Sequence, residues 1–270
     1  MGIVNRTPDS FYDGGANVEL SRAQEAVRRC VDEGAAIIDI GGVRAGVGPE
    51  VDEAEELRRV LPVVEFARSR HPEVAISVDT WRSGVAREVA AAGADLVNDS
   101  WAGADPDLVH VVAETGVGLV CSHTGGLPPR TDPHGMQYDD VVRDVIETVT
   151  AAAERAVALG VRADGIIVDP THDFGKNTYH SLELTYRLDE LVATGWPVLV
   201  ALSRKDFVGE TLDLPVADRL EGTLAASAIS AWHGARVFRA HDVRATRRVL
   251  DMVASIIGSR APAAARRGLD

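Results

Sequence analysis

The sequence lacks the features of a secreted, zinc-binding or membrane-spanning protein. Only two of its 270 residues are cysteines, Cys30 and Cys121, and their spacing matches neither a disulfide framework nor a zinc site. Both lie in apolar segments, which predicts two buried thiols. No stretch approaches the roughly 20 consecutive apolar residues of a membrane span, and no basic region followed by an apolar core indicates a signal peptide. The expected location is the cytoplasm.

Positive charge is also scarce. Lysine and arginine together number 28 against 41 aspartates and glutamates, which gives a formal net charge of −13 and a pI of about 5.0. This balance argues against a nucleic-acid partner and against binding to an anionic membrane surface. An anionic substrate would therefore be attracted by a local basic cluster and not by the overall field.

The sequence does contain a repeated alternation of short apolar runs and longer amphipathic stretches. The runs are continuous, as is typical of parallel strands buried on both faces, and apolar residues between them recur at helical spacing. A glycine, a common helix C-terminal cap, follows six of the helical stretches. The predicted strands are 3–4, 37–40, 75–78, 96–97, 118–121, 166–168, 198–202 and 236–238, and the predicted helices are 20–33, 51–70, 83–92, 106–114, 138–159, 181–193, 216–232 and 243–257.

Eight strands and eight helices in strict alternation predict the α/β class, specifically a single-domain (β/α)8 barrel, or TIM barrel. No change in composition along the chain marks a second domain. We expect residues 1–258 to form the barrel and residues 259–270 to form a frayed C-terminal tail.

Polar residues follow nearly every predicted strand. In barrels of this kind the active site lies at the carboxyl ends of the strands, so these side chains are predicted to converge on one pocket. A helix-capping role is the local alternative for each of them, and it is the favoured interpretation for Asp99, Ser203 and Asp242. The full set is Asn5, Asp39, Asp79, Asn98, Asp99, His123, Asp169, Ser203, Arg204, Lys205, Arg239, His241 and Asp242.

The chemistry of this set indicates two kinds of ligand group. Carboxylates and an amide suit a flat heterocycle that carries amide and amino edges, whereas cationic donors on the last two strands suit a phosphate. A heterocycle joined to a phosphate or diphosphate would bridge both groups. No His-x-His or His-Glu-x-x-His spacing is present, so a tight zinc site is not expected, but Mg²⁺ held partly by a diphosphate is compatible with these residues.

Several segments resemble, in order along the whole barrel, the motifs of the dihydropteroate synthase family. The opening residues 1–15, which read MGIVNRTPDSFYDGG, form the most specific of these segments. Each of the other segments is a weak indication alone, but together, in the same order as in the family, they are a strong one. They are Asp39-Ile40-Gly41-Gly42, Ser77-Val78-Asp79-Thr80, Asn98-Asp99, Phe174-Gly175-Lys176, Ser203-Arg204-Lys205 and Arg239-Ala240-His241-Asp242-Val243.

The resemblance implies a transferase of folate biosynthesis. Such an enzyme joins 6-hydroxymethyl-dihydropterin diphosphate to para-aminobenzoate: the amine attacks the exocyclic methylene and diphosphate leaves. The resemblance also implies Mg²⁺ bound with the diphosphate, and a homodimer formed through late helices, where Leu220, Leu224, Ala228 and Ala231 lie on a mostly apolar stretch. The implied partners are these two small molecules, with no nucleic acid and no membrane.

The resemblance assigns roles residue by residue. Catalytic roles fall to Asp79, Lys205 and Arg239. The pterin ring would be bound by Asp79, Asn98, Asp169 and Lys205. The diphosphate would be bound by Asn5, Arg239 and His241, with the metal near Asn5. These assignments suit the reaction, because a leaving diphosphate gains charge and preplaced cations stabilise that state most.

The chain departs from the family pattern on the side of the second substrate. After Gly42 the family usually continues Glu-Ser-Thr-Arg-Pro-Gly, where residues 43–48 here read Val-Arg-Ala-Gly-Val-Gly. A usual Gly-x-Gly is replaced by Thr171-His172-Asp173, which removes freedom at φ > 0 if the backbone needs it. The Met-His-Met of strand 5 becomes Ser-His-Thr at 122–124, and Asp206 replaces a small residue.

Three functions therefore stay open. The first is a synthase that tolerates these changes. The second is a diverged paralogue that binds pterin but is inactive or uses another second substrate, which the altered 43–48 segment favours. The third is a corrinoid-dependent pterin methyltransferase, a class whose barrels are similar, although the Ser203-Arg204-Lys205 segment and the loop of residues 5–15 argue against it.

Overall fold

Strands and helices alternate along the chain in the computed structural model, which describes residues 1–6, 20–131 and 136–267. The strands are β1 Gly2–Asn5, β2 Ile37–Gly41, β3 Ala75–Asp79, β4 Leu96–Asp99, β5 Gly118–Ser122, β6 Ile166–Asp169, β7 Leu199–Val200 and β8 Val237–Phe238. The helices are α1 Leu20–Asp32, α2 Glu53–Arg70, α3 Ser83–Ala91, α4 Leu108–Thr115, α5 Val141–Ala158, α6 Thr178–Tyr186, α7 Leu188–Val192, α8 Asp206–Leu212, α9 Leu220–Trp232 and α10 Val243–Ile256.

The strands close into a barrel. Strands β1 to β6 pair in parallel in chain order, and β7 pairs with β8 in the same sense. Two single bridges join these groups, Val168 to Val198 and Gly2 to Ala240, and the Ile3 amide donates to the Ala240 carbonyl at 3.1 Å. The predicted (β/α)8 barrel is therefore confirmed.

Side-chain alternation along the strands separates two apolar layers. Residues such as Ile38, Ile40 and Val97 pack against the surrounding helices. Their neighbours point the opposite way, so that a smaller cluster that includes Leu96, Val120 and Leu199 fills the barrel interior. The predicted burial of both thiols is confirmed as well, and burial raises the pKa of Cys30 to about 11 and that of Cys121 to about 12.

Most predicted helices are present, with three differences. The stretch 181–193 was predicted as one helix but is two, α6 and α7, because the chain turns at Arg187. Helix α8 was not predicted, and residues 216–218 form a separate 3-10 turn before α9. The six glycines predicted as C-terminal caps all have positive φ. No helix in the described ranges is long and apolar enough to cross a membrane.

Candidate active site

Alternation along the strands turns a second set of side chains into the barrel mouth. Asp39 and Ser77 lie between residues that face the helices, and Asp79, Asn98 and Arg239 follow such residues directly. All five therefore point inward. The structure thus brings together residues that lie on four different strands or strand ends.

Arg239 forms the centre of this cluster. Its Nε donates to Asp39 Oδ2 at 2.6 Å and its NH2 nitrogen donates to Asp79 Oδ2 at 3.0 Å. Asp39 also accepts from Ser77 at 2.5 Å, and Asp79 accepts from Ser100 at 2.7 Å. The guanidinium is thereby held in one orientation between two carboxylates at the mouth of the barrel.

Burial dominates the electrostatics of Asp79. Loss of hydration raises the pKa of its carboxyl to about 6, against the opposing pull of Arg239, and the nearby Asp39 charge adds to the rise. Asp79 is therefore mostly ionised at pH 7 but readily protonated below pH 6.

Two buried polar atoms beside this cluster have no hydrogen-bond partner among the described residues. They are Asn98 Oδ1 and Ser122 Oγ, and the two residues are 3% and 1% exposed. A buried polar atom without a partner costs about 1–3 kcal/mol, and a bound polar ligand can recover that cost. These two atoms can therefore form hydrogen bonds with a ligand bound at the barrel mouth.

Asp169 and Lys205 lie on the adjoining part of the mouth. Asp169 accepts from the Thr171 amide at 2.7 Å, and burial raises the pKa of its carboxyl. Lys205 donates to the His172 carbonyl and lies 5.0 Å from the centre of the Phe174 ring. Burial lowers the pKa of Lys205, opposed by Asp173 and Asp169.

The residues assigned to the diphosphate lie at the neighbouring ends of β1 and β8. Asn5 closes β1, and its Oδ1 lies 3.1 Å from the point where a Cβ on Gly41 would sit. The His241 amide donates to Ser203 Oγ at 3.1 Å, and His241 Nδ1 is also 3.1 Å from that oxygen. Residues 7–15 of the opening motif lie outside the described residues.

Arg239 departs from its predicted grouping. The sequence assigned it to the diphosphate with Asn5 and His241, whereas its guanidinium is hydrogen-bonded to the carboxylates of Asp39 and Asp79. It links the predicted pterin residues to the β8 end of the barrel. Whether it binds the diphosphate stays a prediction.

The three residues for which capping was favoured behave differently from one another. Asp99 accepts from the amides of Trp101 and Gly103, so it closes a local turn and does not cap α4, which begins at Leu108. Asp242 precedes α10 but makes no capping hydrogen bond; its two oxygens bind Arg204 at 2.9 and 3.1 Å. The helix-capping interpretation is therefore wrong for all three residues. Ion pairing with Arg204 occupies Asp242, and contact with His241 occupies Ser203.

The replaced glycines are positions where the backbone does need positive φ. Thr171 has φ of 52° and Asp173 has φ of 68°, a region that costs a non-glycine residue roughly 1–2 kcal/mol. Side-chain contacts offset the cost. Thr171 Oγ1 accepts from the His123 amide at 3.1 Å, and the Asp173 carboxylate binds Ser181 and the Phe207 amide.

The altered segment 43–48 is joined to the loop that follows β5. Arg130 Nε donates to the Gly46 carbonyl at 3.3 Å, and Arg130 NH1 donates to the Pro49 carbonyl at 2.6 Å. Arg130 itself has φ of 63°. The loop after β5 therefore reaches the loop after β2, a contact that nothing in the sequence had indicated.

A buried network behind this loop was also missed from the sequence. Lys176, one of only two lysines in the chain, donates to the carbonyls of His123, Thr171 and Phe174 at 2.9–3.2 Å. Its Nζ lies 2.8 Å from His123 Nδ1, and His123 Nε2 lies 2.7 Å from Asp144 Oδ1. Lys176 thereby ties the ends of β5 and β6 together.

Comparison with known proteins identifies the family. Residues 1–241 match the model of the pterin binding enzyme family. The chain is 60% identical over 273 residues to a Mycobacterium leprae protein named inactive dihydropteroate synthase 2, with 100% of this chain and 94% of that protein covered.

Solved structures agree. The Yersinia pestis dihydropteroate synthase, solved as a sulfonamide drug complex, superposes with a TM-score of 0.91 at 38% identity, covering 96% of this chain and 94% of that one. The Xanthomonas albilineans enzyme in complex with 7,8-dihydropteroate gives 0.84 at 36% identity, covering 96% and 93%. The chain therefore belongs to the pterin-binding enzyme family, as a diverged member of its dihydropteroate synthase branch.

Proposed function

We propose that this protein binds 6-hydroxymethyl-dihydropterin diphosphate at the barrel mouth but does not transfer its pterin group to para-aminobenzoate. This is the second of the three functions that the sequence left open. The observation that carries it is a contrast within one site: the inward-facing polar residues on the strand ends are in place, whereas three neighbouring segments depart from the family pattern.

The pterin part of the proposal rests on complementary hydrogen-bonding groups. Asp79 and Asp169 supply carboxylate acceptors for ring amino and amide N–H groups, and Asn98 offers an acceptor oxygen without a partner among the described residues. Lys205 offers a donor beside the Phe174 ring. A flat heterocycle with donors on one edge and acceptors on the other would match this arrangement.

The diphosphate part rests on Asn5, Arg239 and His241. We infer that Arg239 and His241 offer donors to the phosphate oxygens. Within the described residues there is no group of three or more His, Cys, Asp or Glu side chains that could hold a metal ion. Mg²⁺ usually keeps several waters and binds through substrate phosphates and one or two protein oxygens, so the single amide oxygen of Asn5 fits that mode. A bound Mg²⁺ would neutralise charge on the leaving diphosphate.

The absence of transfer rests on the altered segments. Without the usual Thr-Arg pair, segment 43–48 lacks a cation at the family position for the leaving diphosphate and a wall for the aminobenzoate. Arg130 instead binds the Gly46 carbonyl of this segment and the Pro49 carbonyl next to it. Thr171 and Asp173 add bulk and a carboxylate where the family has glycine. The name of the Mycobacterium leprae relative, which describes that protein as inactive, agrees with this inference.

We further propose a homodimer through α9 and α10. Trp232, Met252 and Ile256 are each about 60% exposed, and these two helices pack against each other. Large apolar side chains left in water on adjacent helices favour association with a second copy. Sedimentation should give a dimer for the natural chain and a monomer for Trp232→Glu with Met252→Glu. A natural chain that sediments as a monomer would contradict the dimer.

Calorimetric titration with 6-hydroxymethylpterin and with the dihydropterin diphosphate tests the binding. We expect both to bind, and Asp169→Asn to weaken both. If neither ligand binds, or if both bind Asp169→Asn as tightly as the natural chain, the proposed pterin site is wrong.

A further inference from the structure

A cavity lies next to the segment that follows β5, and its lining includes residues 124–129 of that segment. Its volume is about 550 Å³, within the range of roughly 300–1,000 Å³ that small-molecule sites occupy. None of the residues assigned to the pterin or to the diphosphate lines it. We call it the lateral cavity.

Trp101 and Phe174 lie in line between the lateral cavity and Lys205. The Trp101 side chain is 4% exposed and lines the lateral cavity. On its other side it contacts the Phe174 ring edge to face, with ring centroids 5.2 Å apart, and Phe174 in turn lies beneath Lys205. A molecule in the lateral cavity would therefore not occupy the proposed pterin position.

The lining combines apolar walls with a single carboxylate. Trp101, Leu127, Pro128 and Met136 supply apolar surface, and Tyr138 adds a second aromatic ring. Asp144, on the first turn of α5, is the one Asp, Glu, Lys or Arg side chain among the lining residues described. Its side chain is 50% exposed, so one carboxylate can meet both water and a ligand.

The groups behind Asp144 orient it without neutralising it. Lys176 is an amine donor at 2.8 Å from His123 Nδ1, so Nδ1 accepts and the proton of the neutral ring is on Nε2, which donates to Asp144. Burial and the Lys176 charge lower the pKa of His123 to about 4. The imidazole is therefore neutral at pH 7 and places no positive charge beside the carboxylate.

The loop that covers this cavity is fixed at its base. Gly175 has φ of 63°, and a Cβ there would lie 2.3 Å from the Thr124 carbonyl oxygen, so only glycine allows this approach. Tyr138 donates to the Gly175 carbonyl at 2.8 Å. The cavity walls on this side are thus held by the segment that also supplies Lys176.

We propose that the lateral cavity is a second binding site, for a flat organic cation such as an aryl amidine or arylalkylamine. The cationic head would bind the free oxygen of Asp144, and the ring would pack against Trp101 and Tyr138. A cation beside an aromatic face and a carboxylate gains from both. An aryl carboxylate of the same shape would be repelled by Asp144 and would not bind there.

Two isosteric probes test the charge requirement directly. Benzamidine and benzoate share a ring and differ in the sign of their charge. We expect benzamidine to shift the ¹⁵N–¹H resonances of Trp101, His123 and Asp144 in the full chain with saturable behaviour, and benzoate to leave them unchanged. The titration is run with 6-hydroxymethylpterin at saturation, so that amidine binding to Asp79 or Asp169 is blocked.

Variants on α5 test whether benzamidine binds in the lateral cavity. Asp144→Asn keeps an acceptor for His123 and should weaken benzamidine binding at least about tenfold, as expected for a lost charge-assisted hydrogen bond. Glu147→Gln is the matched control, since Glu147 is exposed on the same helix and does not line the cavity, and it should bind as the natural chain does. Thr148→Trp, at an exposed lining position, should block the site by volume.

The results that would overturn the proposal are distinct from a failure of the pterin site. Equal binding of benzoate, unchanged benzamidine affinity in Asp144→Asn, or shifts centred on Asp79 and Asp169 with none at Trp101 would each exclude the lateral site. Loss of pterin binding alone would leave the lateral shifts in place.

Discussion

The barrel mouth has a strand half and a loop half, and the two differ in the interactions that fix their side chains. The strand half, with Asp79, Asn98, Asp169 and Arg239, lies on or next to strands that pair on both sides and pack against helices. The loop half consists of residues 43–50, 124–131 and 171–173. These four residues of the strand half match the family pattern, whereas the loop half contains the replaced positions 43–48, 124, 171 and 173.

This difference has a physical basis. A residue at a strand end takes its direction from ladder hydrogen bonds and side-chain alternation, which many other contacts fix. A loop residue depends on its own φ and ψ and on a few partners. Ligand-binding geometry on strands can therefore persist after the loops that completed a reaction have changed.

Replacing Lys176 should loosen the connection between the ends of β5 and β6, and it is the largest effect we expect. Lys176→Met leaves the buried carbonyls of His123 and Thr171 and the partly buried carbonyl of Phe174 without their donor. Since an unsatisfied buried group costs about 1–3 kcal/mol, we expect the free energy of unfolding to fall by roughly 3 kcal/mol or more. Urea denaturation measures it.

The matched control is the other lysine. Lys205→Met removes a donor to one carbonyl, that of His172, so its loss of stability should be clearly smaller. Equal losses in the two variants would show that Lys176 has no special role in tying the ends of β5 and β6 together.

Variants of Asp169 in the strand half and of the adjoining Lys205 should weaken pterin binding, in contrast to variants of the loop half. Lys205→Ala and Asp169→Asn are each expected to weaken pterin binding by roughly 1–3 kcal/mol, the range for a lost charged partner. Calorimetry gives the affinities. Asp206→Asn, at an adjacent half-exposed carboxylate that binds Arg219, should leave pterin affinity unchanged. Unchanged binding in both site variants would contradict the assignment.

The pH dependence of pterin binding should report on Asp79. Its pKa is raised to about 6, so the acceptor carboxylate is protonated below that value. Affinity should be nearly constant above pH 7 and fall by up to about tenfold for each pH unit below 6, since one pKa unit corresponds to 1.36 kcal/mol. Asp79→Asn should bind weakly with a flatter profile. A natural chain whose affinity rises as pH falls would exclude this role.

Changes confined to the loop half should have the smallest effects. Arg130→Ala removes two hydrogen bonds to the carbonyls of Gly46 and Pro49, one of them exposed, and we expect a loss of stability of about 1 kcal/mol or less. Pterin affinity should not change, while limited proteolysis within 43–50 should become faster. A large loss of pterin binding would show that the two halves are not independent.

The sequence predicted the barrel and most of the strand half, because both follow from periodicities and from topology. Continuous apolar runs located eight strands, and the rule that barrel sites lie at carboxyl strand ends located Asp79, Asn98 and Arg239 together. The break between α6 and α7 was not predictable in the same way. It occurs at Arg187 without proline or glycine, where the side chain binds Asp140, Glu183 and Glu190.

Long-range pairings in the loop half left no local signal. His123 and Lys176 are 53 residues apart, and Arg130 is 84 residues from Gly46. Helix α8 has seven residues, too few for a helical period to stand out. Positions 171 and 173 were the exception in the loop half. The family usually has glycine at both, which indicated a backbone with positive φ, and Thr171 and Asp173 do have positive φ.

The most direct test of the contrast is diphosphate release from the dihydropterin diphosphate with Mg²⁺, measured with and without para-aminobenzoate under conditions where calorimetry shows the site to be filled. We predict that the dihydropterin diphosphate binds and that no diphosphate release depending on para-aminobenzoate follows. Sustained release that requires para-aminobenzoate, with dihydropteroate as product, would contradict this prediction and would show that the altered loops still support the synthase reaction.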